Sequence, residues 1–119
     1  MSFPIWELLV YFDHKFMRII SRTTLLRFWK KYSDTEQPLK SWFDEVRNAN
    51  WRSPNELKKQ YRNASIITSK RVVFNIKGNA YRLIVDIEYS IGIIFIVWVG
   101  THKEYNKLNV KEINYVKTN

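Results

Sequence analysis

Residues 100–105, with the sequence GTHKEY, contain a histidine and a tyrosine at a spacing suited to acid–base chemistry. Thr101 and Glu104 have the spacing of a helix capping box, which predicts a helix that begins at His102. Tyr105 then lies three residues later on a nearby face. A helix N-terminus attracts phosphate and disfavours a protonated imidazole, so this position favours a histidine that accepts a proton. A lone histidine beside a cap is also often structural, and the residues alone leave both interpretations open.

A second group of polar residues lies on a predicted β-hairpin. The Gly-Asn pair at 78–79 predicts a tight turn. Such a turn places Asn75 opposite Arg82 and puts the Arg71 position opposite Asp86. A sheet face that carries several cations and an amide is suited to holding a phosphate backbone; the alternative is an exposed face with an Arg71–Asp86 ion pair. The polar residues predicted to share this face are Arg71, Asn75, Lys77 and Arg82.

The positive charge of the chain is concentrated between Trp51 and Arg82. The whole sequence has a formal net charge of +9, and within this segment Glu56 is the one acid. Clustering of one charge sign favours a polyanionic partner, because each neutralised phosphate releases counterions. The basic residues of the segment are Arg52, Lys58, Lys59, Arg62, Lys70, Arg71, Lys77 and Arg82.

Aromatic residues are interleaved with these charges, an arrangement expected where nucleic-acid bases stack on aromatic rings. The alternative is a basic surface whose aromatic residues belong to the hydrophobic core. The aromatic residues in question are Trp51, Tyr61, Phe74 and Tyr81.

Composition limits the class of protein. A chain of 119 residues is one domain, too small for a nucleotide-fold enzyme or a barrel, and with 16% aromatic residues it is not a disordered basic tail. Without cysteine it has no disulfide, thiolate metal site or cysteine nucleophile, which suits the cytoplasm.

The apolar run Ile91–Val99 is far shorter than the roughly 20 residues of a membrane-spanning helix. Residues 1–12 lack the features of a signal peptide, so we expect neither a membrane anchor nor secretion.

The spacing of apolar residues predicts that helices form first along the chain. A short strand is expected at 17–21, followed by a helix from Thr23 with apolar residues at helical spacing. A second helix is expected after Asp34, which would cap it. Ser53 then has the pattern of an N-cap for a short helix that ends near Tyr61.

The second half of the chain has the period of β-strands, so the whole predicts an α+β fold. The hairpin strands are followed by Ile93–Val99, which is apolar on both faces and therefore predicts a covered central strand. Residues from Lys107 onward are predicted to be a polar tail. The expected organisation is an N-terminal extension (1–16), one folded domain (17–110) and a C-terminal tail (111–119).

Four segments of the sequence resemble the HigB toxins of bacterial type II toxin-antitoxin modules, within the wider RelE-like group of mRNA interferases. The resemblance extends from Met17 to about Val110, and residues 1–16 have no counterpart in it. The hairpin together with the THKEY element is its most specific part. The four segments are MRIIS (17–21), PLKSWFDEVRNANW (38–51), RVVFNIKGNAYRLIV (71–85) and FIVWVGTHKEYNKL (95–108).

The resemblance implies a compact RelE-like fold in which N-terminal helices pack on a mainly antiparallel, twisted sheet. It implies cleavage of mRNA on the ribosome by attack of the 2′-OH on the adjacent phosphate, with neither metal nor cofactor. It also implies a HigA-like antitoxin with a helix-turn-helix domain as partner, operator DNA bound only through that antitoxin, and a cytoplasmic protein.

Such a reaction needs a proton acceptor, a proton donor and cations around the phosphate. Residues of these types are present on the two elements described above, and no metal ligands are expected. The expected catalytic residues are His102, Tyr105 and Arg82. The expected RNA-binding residues are Lys58, Lys59, Arg62, Arg71, Asn75, Lys77 and Lys103.

Two other functions remain open on the sequence alone. The same basic surface would serve a noncatalytic RNA- or ribosome-binding module, and its cations would also suit a protein-interaction subunit with an acidic partner. Growth arrest on expression, relieved by substitution of His102 or Arg82, separates a toxin from both.

Overall fold

The computed structural model describes residues 17–115, in which a strand and three helices precede the rest of the sheet. The expectations for residues 1–16 and 116–119 lie outside the described residues. No helix within residues 17–115 has the length and apolar character needed to cross a membrane. The first elements are β1 (Arg18–Ile20), α1 (Arg22–Lys31), a 3-10 turn (Ser33–Thr35), α2 (Glu36–Arg47) and α3 (Pro54–Gln60).

The remaining elements are β2 (Ser65–Ile66), β3 (Arg71–Ile76), β4 (Tyr81–Glu88), β5 (Ile93–Thr101) and the short helix α4 (His102–Tyr105). Within the described residues the strands form one sheet in the order β1-β5-β4-β3-β2. β1 runs parallel to β5, and the other neighbouring strands are antiparallel. β5 is therefore a central strand, as its apolar sequence predicts. The expected α+β fold, with helices on a mainly antiparallel sheet, is confirmed.

The helices and one face of the sheet enclose the main hydrophobic core. α1 contributes Leu25 and α2 contributes Leu39 and Val46, and all three side chains are fully buried. Their helical spacing gives each helix one apolar stripe, and that stripe lies on the sheet. A slip of one residue in strand register would move every apolar strand residue to the other face, so burial fixes the register. The buried strand residues on this face include Val72, Phe74, Ile76, Leu83, Val85 and Ile87.

Two local predictions are confirmed. Ser53 caps α3, since its hydroxyl accepts a hydrogen bond from a backbone N–H of the first helical turn at 3.4 Å. The hairpin has the predicted register, with Asn75 opposite Arg82 and Arg71 opposite Asp86. Both features depend on residues close together in the chain, where turn and cap chemistry decides the conformation.

The predicted capping of the second helix by Asp34 is wrong. α2 begins at Glu36 after the 3-10 turn, and its N-cap residue, Thr35, makes no side-chain capping hydrogen bond. The Asp34 carboxylate instead accepts hydrogen bonds from Lys77 and Tyr81 of the hairpin. The side-chain partners of Asp34 therefore lie on the hairpin, more than 40 residues away in the sequence.

The second face of the sheet is covered by the C-terminal segment. Between Lys107 and Ile113 the chain is not the expected polar tail, because apolar residues between the polar ones pack on this face. This segment therefore covers part of the hairpin face that carries Arg71 and Arg82, which was expected to be open to solvent. The small buried cluster consists of Val73, Ile84 and Val97, and the residues packed against it include Tyr105, Leu108, Val110 and Ile113.

Candidate active site

The expected catalytic residues lie where the start of β4, the end of β5 and the hairpin turn of residues 77–80 meet. Arg82 pairs with Gly100 in the sheet, directly before α4. The backbone N–H of His102 donates a hydrogen bond to the carbonyl of Ala80 at 3.0 Å. The sheet register and this hydrogen bond bring the two sequence-predicted elements together.

The short helix α4 is held by the predicted capping box. The Thr101 hydroxyl accepts a hydrogen bond from the Glu104 backbone N–H at 3.1 Å, and the Glu104 carboxylate accepts one from the Thr101 N–H at 3.0 Å. The hydrogen bonds from the backbone and then the hydroxyl of Thr101 hold the pKa of the Glu104 carboxyl below its ordinary value. The cap fixes the backbone from which His102 and Tyr105 project.

Arg82 is nearly buried, at 9% exposure, and the protein orients its guanidinium group. One terminal nitrogen, Nη1, donates to the carbonyls of Asn79 and Tyr81, each at 3.1 Å. The other, Nη2, donates to the side-chain oxygen of Asn79. The guanidinium carbon lies 5.7 Å from the ring centroid of Tyr105, within cation–π range. Arg82 and Tyr105 therefore form one stacked unit.

His102 meets the same turn through its ring. Its Nδ1 lies 3.1 Å from the backbone carbonyl oxygen of Asn79. Asn79 thus contacts both the expected proton-transfer residue and the expected phosphate-binding cation, Arg82. From the sequence Asn79 was predicted only to be a turn residue, and the one signal that could have marked it is its position three residues before Arg82.

Trp98 is a further residue of the site that sequence reasoning missed. Its ring lies over Gly100, where an added Cβ would come within 2.3 Å of the Trp98 side chain. The ring centroids of Trp98 and Tyr105 are 6.4 Å apart. Glycine at position 100 therefore lets the indole pack flat on β5 beside the Tyr105 ring.

Arg71, expected to bind RNA, is occupied within the protein. It is buried, and its guanidinium forms a bidentate pair with Asp86 through two contacts of 2.8 Å. Its Nη1 also donates to the backbone carbonyls of Val110, Lys111 and Ile113. The expectation that Arg71 contacts RNA is therefore dropped, because its N–H groups hold the C-terminal segment on the sheet.

Replacing Arg71 with Met should lower the free energy of unfolding by about 2–3 kcal/mol, because several charge-assisted hydrogen bonds are lost together. Chemical denaturation of both proteins measures the difference. Lys70→Met is the matched control, since it removes the neighbouring Lys70–Glu88 pair, which is exposed and therefore screened by solvent. Equal losses in the two variants would contradict a structural role for Arg71.

Lys77 is exposed beside the site, and its ammonium group contacts Asp34. The Lys77 Nζ lies 2.8 Å from the Asp34 carboxylate, which also accepts a hydrogen bond from the Tyr81 hydroxyl at 2.9 Å. These hydrogen bonds, first from Lys77 and then from Tyr81, hold the pKa of the Asp34 carboxyl below its ordinary value of 3.8. The contact ties the hairpin turn to the segment between α1 and α2.

The Asp34 contact should contribute stability that depends on pH. Because the folded-state pKa is lowered, the contribution is present above the ordinary value of 3.8 and is lost as pH falls through the folded-state pKa. Asp34→Asn should therefore be less stable than the parent near neutral pH, and the difference should shrink in acid. Thermal unfolding midpoints of both proteins as a function of pH test this; a difference that is constant across the acid range would contradict it.

The three basic residues of the α3 region differ in their availability. The Lys58 ammonium group donates to the carbonyls of Arg62 and Ala64, each at 2.7 Å, and so satisfies carbonyls of the segment that follows α3. Lys59 and Arg62 are exposed. Lys58 is therefore partly structural, whereas Lys59 and Arg62 present their charge to solvent.

Arg62 and Asn75 are brought together at the edge of the hairpin. Both line a surface depression of about 300 Å³ that extends to Gly78 in the turn. Lys103, on α4, is exposed beside His102. Arg62 is therefore connected to the hairpin turn through this depression, and Lys103 follows His102 directly in α4.

The aromatic residues interleaved with the basic segment belong mainly to the core. Trp51, Phe74 and Tyr81 are buried, which agrees with the core alternative and not with base stacking. Tyr61 is partly buried and its hydroxyl donates to the Glu45 carboxylate. Burial, followed by that hydrogen bond, raises the pKa of Tyr61 above its ordinary value.

Among residues 17–115 there is no group of three or more His, Cys, Asp or Glu side chains arranged to hold a metal ion. The acidic side chains near the site have other contacts. Asp34 binds the hairpin, Asp86 binds Arg71, and Glu104 completes the α4 cap.

Comparison with known families identifies the family to which the chain belongs. The family described as HigB_toxin, RelE-like toxic component of a toxin-antitoxin system, matches residues 35–108, which is more than half of the chain. The matched range contains the hairpin, β5 and α4, and hence Asn79, Arg82, His102 and Tyr105. No curated protein shows a significant match. With the expected fold also present, the chain belongs to the HigB_toxin family of RelE-like toxins of toxin-antitoxin systems.

Proposed function

We propose that the protein is an mRNA endoribonuclease that cleaves messages on the ribosome and is neutralised by a HigA-like antitoxin. The observation that supports this most is that His102, Arg82 and Tyr105 lie together beside the hairpin turn of residues 77–80. The chain that carries them belongs to a family of toxins. A proton-transfer group, a hydroxyl and an oriented cation are the groups that phosphodiester cleavage by an internal 2′-OH needs.

In the proposed reaction the 2′-oxygen forms a bond to phosphorus and the bond from phosphorus to the 5′-oxygen breaks. The 2′-OH proton passes to a base, and the leaving 5′-oxygen takes up a proton. The products are a 2′,3′-cyclic phosphate and a free 5′-OH. His102 exchanges one of these protons, Arg82 binds the charge that develops on the phosphate, and Tyr105 positions the phosphate or shares the proton transfer.

The proposed RNA surface surrounds this cluster. It consists of the exposed cations and the side-chain amide of Asn75 at the edge of the hairpin. Several such residues are needed, because polyanion binding depends on the sum of many phosphate contacts. The protein would act in the cytoplasm, where ribosomes carry its substrate, and would reach operator DNA only through the antitoxin. The surface residues are Lys59, Arg62, Asn75, Lys77 and Lys103, with Lys58 in a partly structural role.

Reversing the exposed charges of the α3 region should weaken ribosome binding. The double variant Lys59→Glu with Arg62→Glu should lower affinity by at least about tenfold at low salt and flatten the salt dependence, since fewer counterions are released. Lys58 is left intact because its ammonium group holds backbone carbonyls. Sedimentation with purified ribosomes over a range of salt concentrations measures the effect.

The matched control is Arg18→Glu with Arg47→Glu, which causes the same change in net charge. Both residues are exposed, and Arg18 pairs with Ile93 at the opposite end of β5 from His102. This control should retain most of the affinity. Equal weakening by both double variants would mean that net charge, and not the α3 surface, determines binding.

Expression in bacteria tests the proposed function as a whole. The protein alone should arrest growth, His102→Ala should relieve the arrest while still accumulating, and co-expression of an adjacent helix-turn-helix antitoxin should restore growth. A noncatalytic ribosome-binding module would arrest growth equally well with His102→Ala. A protein that is harmless by itself would contradict the proposal.

A further inference from the structure

His102 contacts the hairpin turn through one of its two ring nitrogens. The Nδ1 atom lies 3.1 Å from the carbonyl oxygen of Asn79. A carbonyl oxygen accepts hydrogen bonds and cannot donate one, so the contact is a hydrogen bond only when Nδ1 is protonated. A neutral imidazole has one N–H, and Nε2 is then left with its lone pair.

We infer that Asn79 is a positioning residue that holds His102 as the Nδ1–H tautomer, so that Nε2 is the atom that exchanges a proton with the RNA. The inference rests on the proposed ribonuclease function for the identity of the proton's other partner. It does not rest on that function for the tautomer itself, which the contact with the carbonyl determines.

Asn79 also orients Arg82, through two different atoms. Its carbonyl oxygen, the same one that faces His102, accepts from Arg82 Nη1 at 3.1 Å, and its side-chain oxygen accepts from Nη2. One backbone oxygen, with two lone pairs, therefore binds the imidazole and the guanidinium together. The separation of the proton-transfer group from the phosphate-binding cation is set by this one residue.

The turn itself does not need asparagine at position 79. The residues with positive φ here are Lys77, at 52°, and Gly78, at 63°, so the left-handed conformations fall before Asn79. The turn closes through a hydrogen bond from the Ala80 N–H to the Lys77 carbonyl at 3.2 Å. An alanine at position 79 would keep the backbone and its carbonyl, and would remove only the side-chain contact with Arg82.

Nitrogen NMR of the full-length protein tests the tautomer directly. The chain has two histidines, His14 and His102, and the spectrum of His102→Ala assigns their signals. In long-range ¹H–¹⁵N spectra, neutral His102 should show a protonated Nδ1 and a bare Nε2. A proton on Nε2, or an even mixture of tautomers, would overturn the inference. The spectrum reports the tautomer whether or not the protein cleaves RNA. Failure of this inference can therefore be distinguished from failure of the proposed ribonuclease function.

Kinetics test the positioning of Arg82. Asn79→Ala should slow single-turnover cleavage on ribosomes by about tenfold, the effect of one lost charge-assisted hydrogen bond, with ribosome affinity and thermal stability nearly unchanged. In an Arg82→Ala background the same substitution should have no further effect, because Asn79 acts through Arg82. Independent, multiplicative effects of the two substitutions would overturn the positioning role, as would a loss of affinity without a change in rate.

Discussion

Replacing His102 with Ala should slow single-turnover cleavage of ribosome-bound mRNA by about 10²- to 10⁴-fold, the usual contribution of a general acid or base. The physical reason is that the imidazole is held between the α4 cap and the Asn79 carbonyl, beside Arg82. Ribosome affinity should change little, because the substitution removes no cation from the exposed surface. Quench-flow cleavage with the protein in excess over ribosome-bound mRNA measures the rate, and sedimentation measures the affinity.

Lys103→Ala is the matched control for His102. It alters the next residue of the same helix, removes a positive charge and leaves the capping box in place. This variant should bind ribosomes somewhat more weakly but cleave at nearly the parent rate once bound. If His102→Ala cleaves within about threefold of the parent, a loss too small for proton transfer, then His102 is a structural residue of the cap and Tyr105 or Lys77 must supply the proton acceptor.

Replacing Arg82 with Ala should reduce cleavage by about 10²- to 10³-fold, comparable with the loss of one preorganised donor to a developing oxyanion. The guanidinium is already oriented by Asn79 and by the Tyr105 ring, so its electrostatic contribution needs little reorganisation during the reaction. Single-turnover cleavage on ribosomes measures the loss, and a thermal unfolding scan on each variant checks that the fold is retained.

Arg82→Lys separates charge from geometry at this position. Lysine keeps the positive charge but lacks the planar fork that spans Asn79 and a phosphate, so its cleavage rate should fall between those of the parent and the alanine variant. If the Arg82→Ala protein is insoluble or unfolded, Arg82 is a structural residue. Its proposed role as the phosphate-binding cation of the hairpin is then contradicted.

The features that sequence could predict are those set by neighbouring residues. The register of the hairpin follows from the turn at 78–79 and the alternation of buried residues, and it places Arg82 opposite Asn75 as expected. The cap of α4 follows from Thr101 and Glu104 alone. Each of these depends on a pattern within a few residues, where backbone chemistry has few solutions.

The features that sequence could not predict depend on contacts between distant segments. Arg71 was expected on an open face, but the C-terminal segment, some 40 residues later in the chain, folds back onto that face and binds its guanidinium. Asp34 was expected to cap a helix, but it binds the hairpin. The role of Asn79 appears only when β5 brings α4 beside the turn. No local pattern encodes these pairings, because their partners are fixed by the packed sheet.

The most direct test of the account is to map mRNA ends and their chemistry on purified ribosomes, with and without this protein. We expect new ends inside the coding sequence that carry a 5′-OH and an upstream 2′,3′-cyclic phosphate. These ends should form far more slowly with His102→Ala and should be suppressed by the antitoxin. A 5′-phosphate at the new ends, or no new ends with a protein that still binds ribosomes, would contradict cleavage by 2′-OH attack at the His102, Tyr105 and Arg82 site.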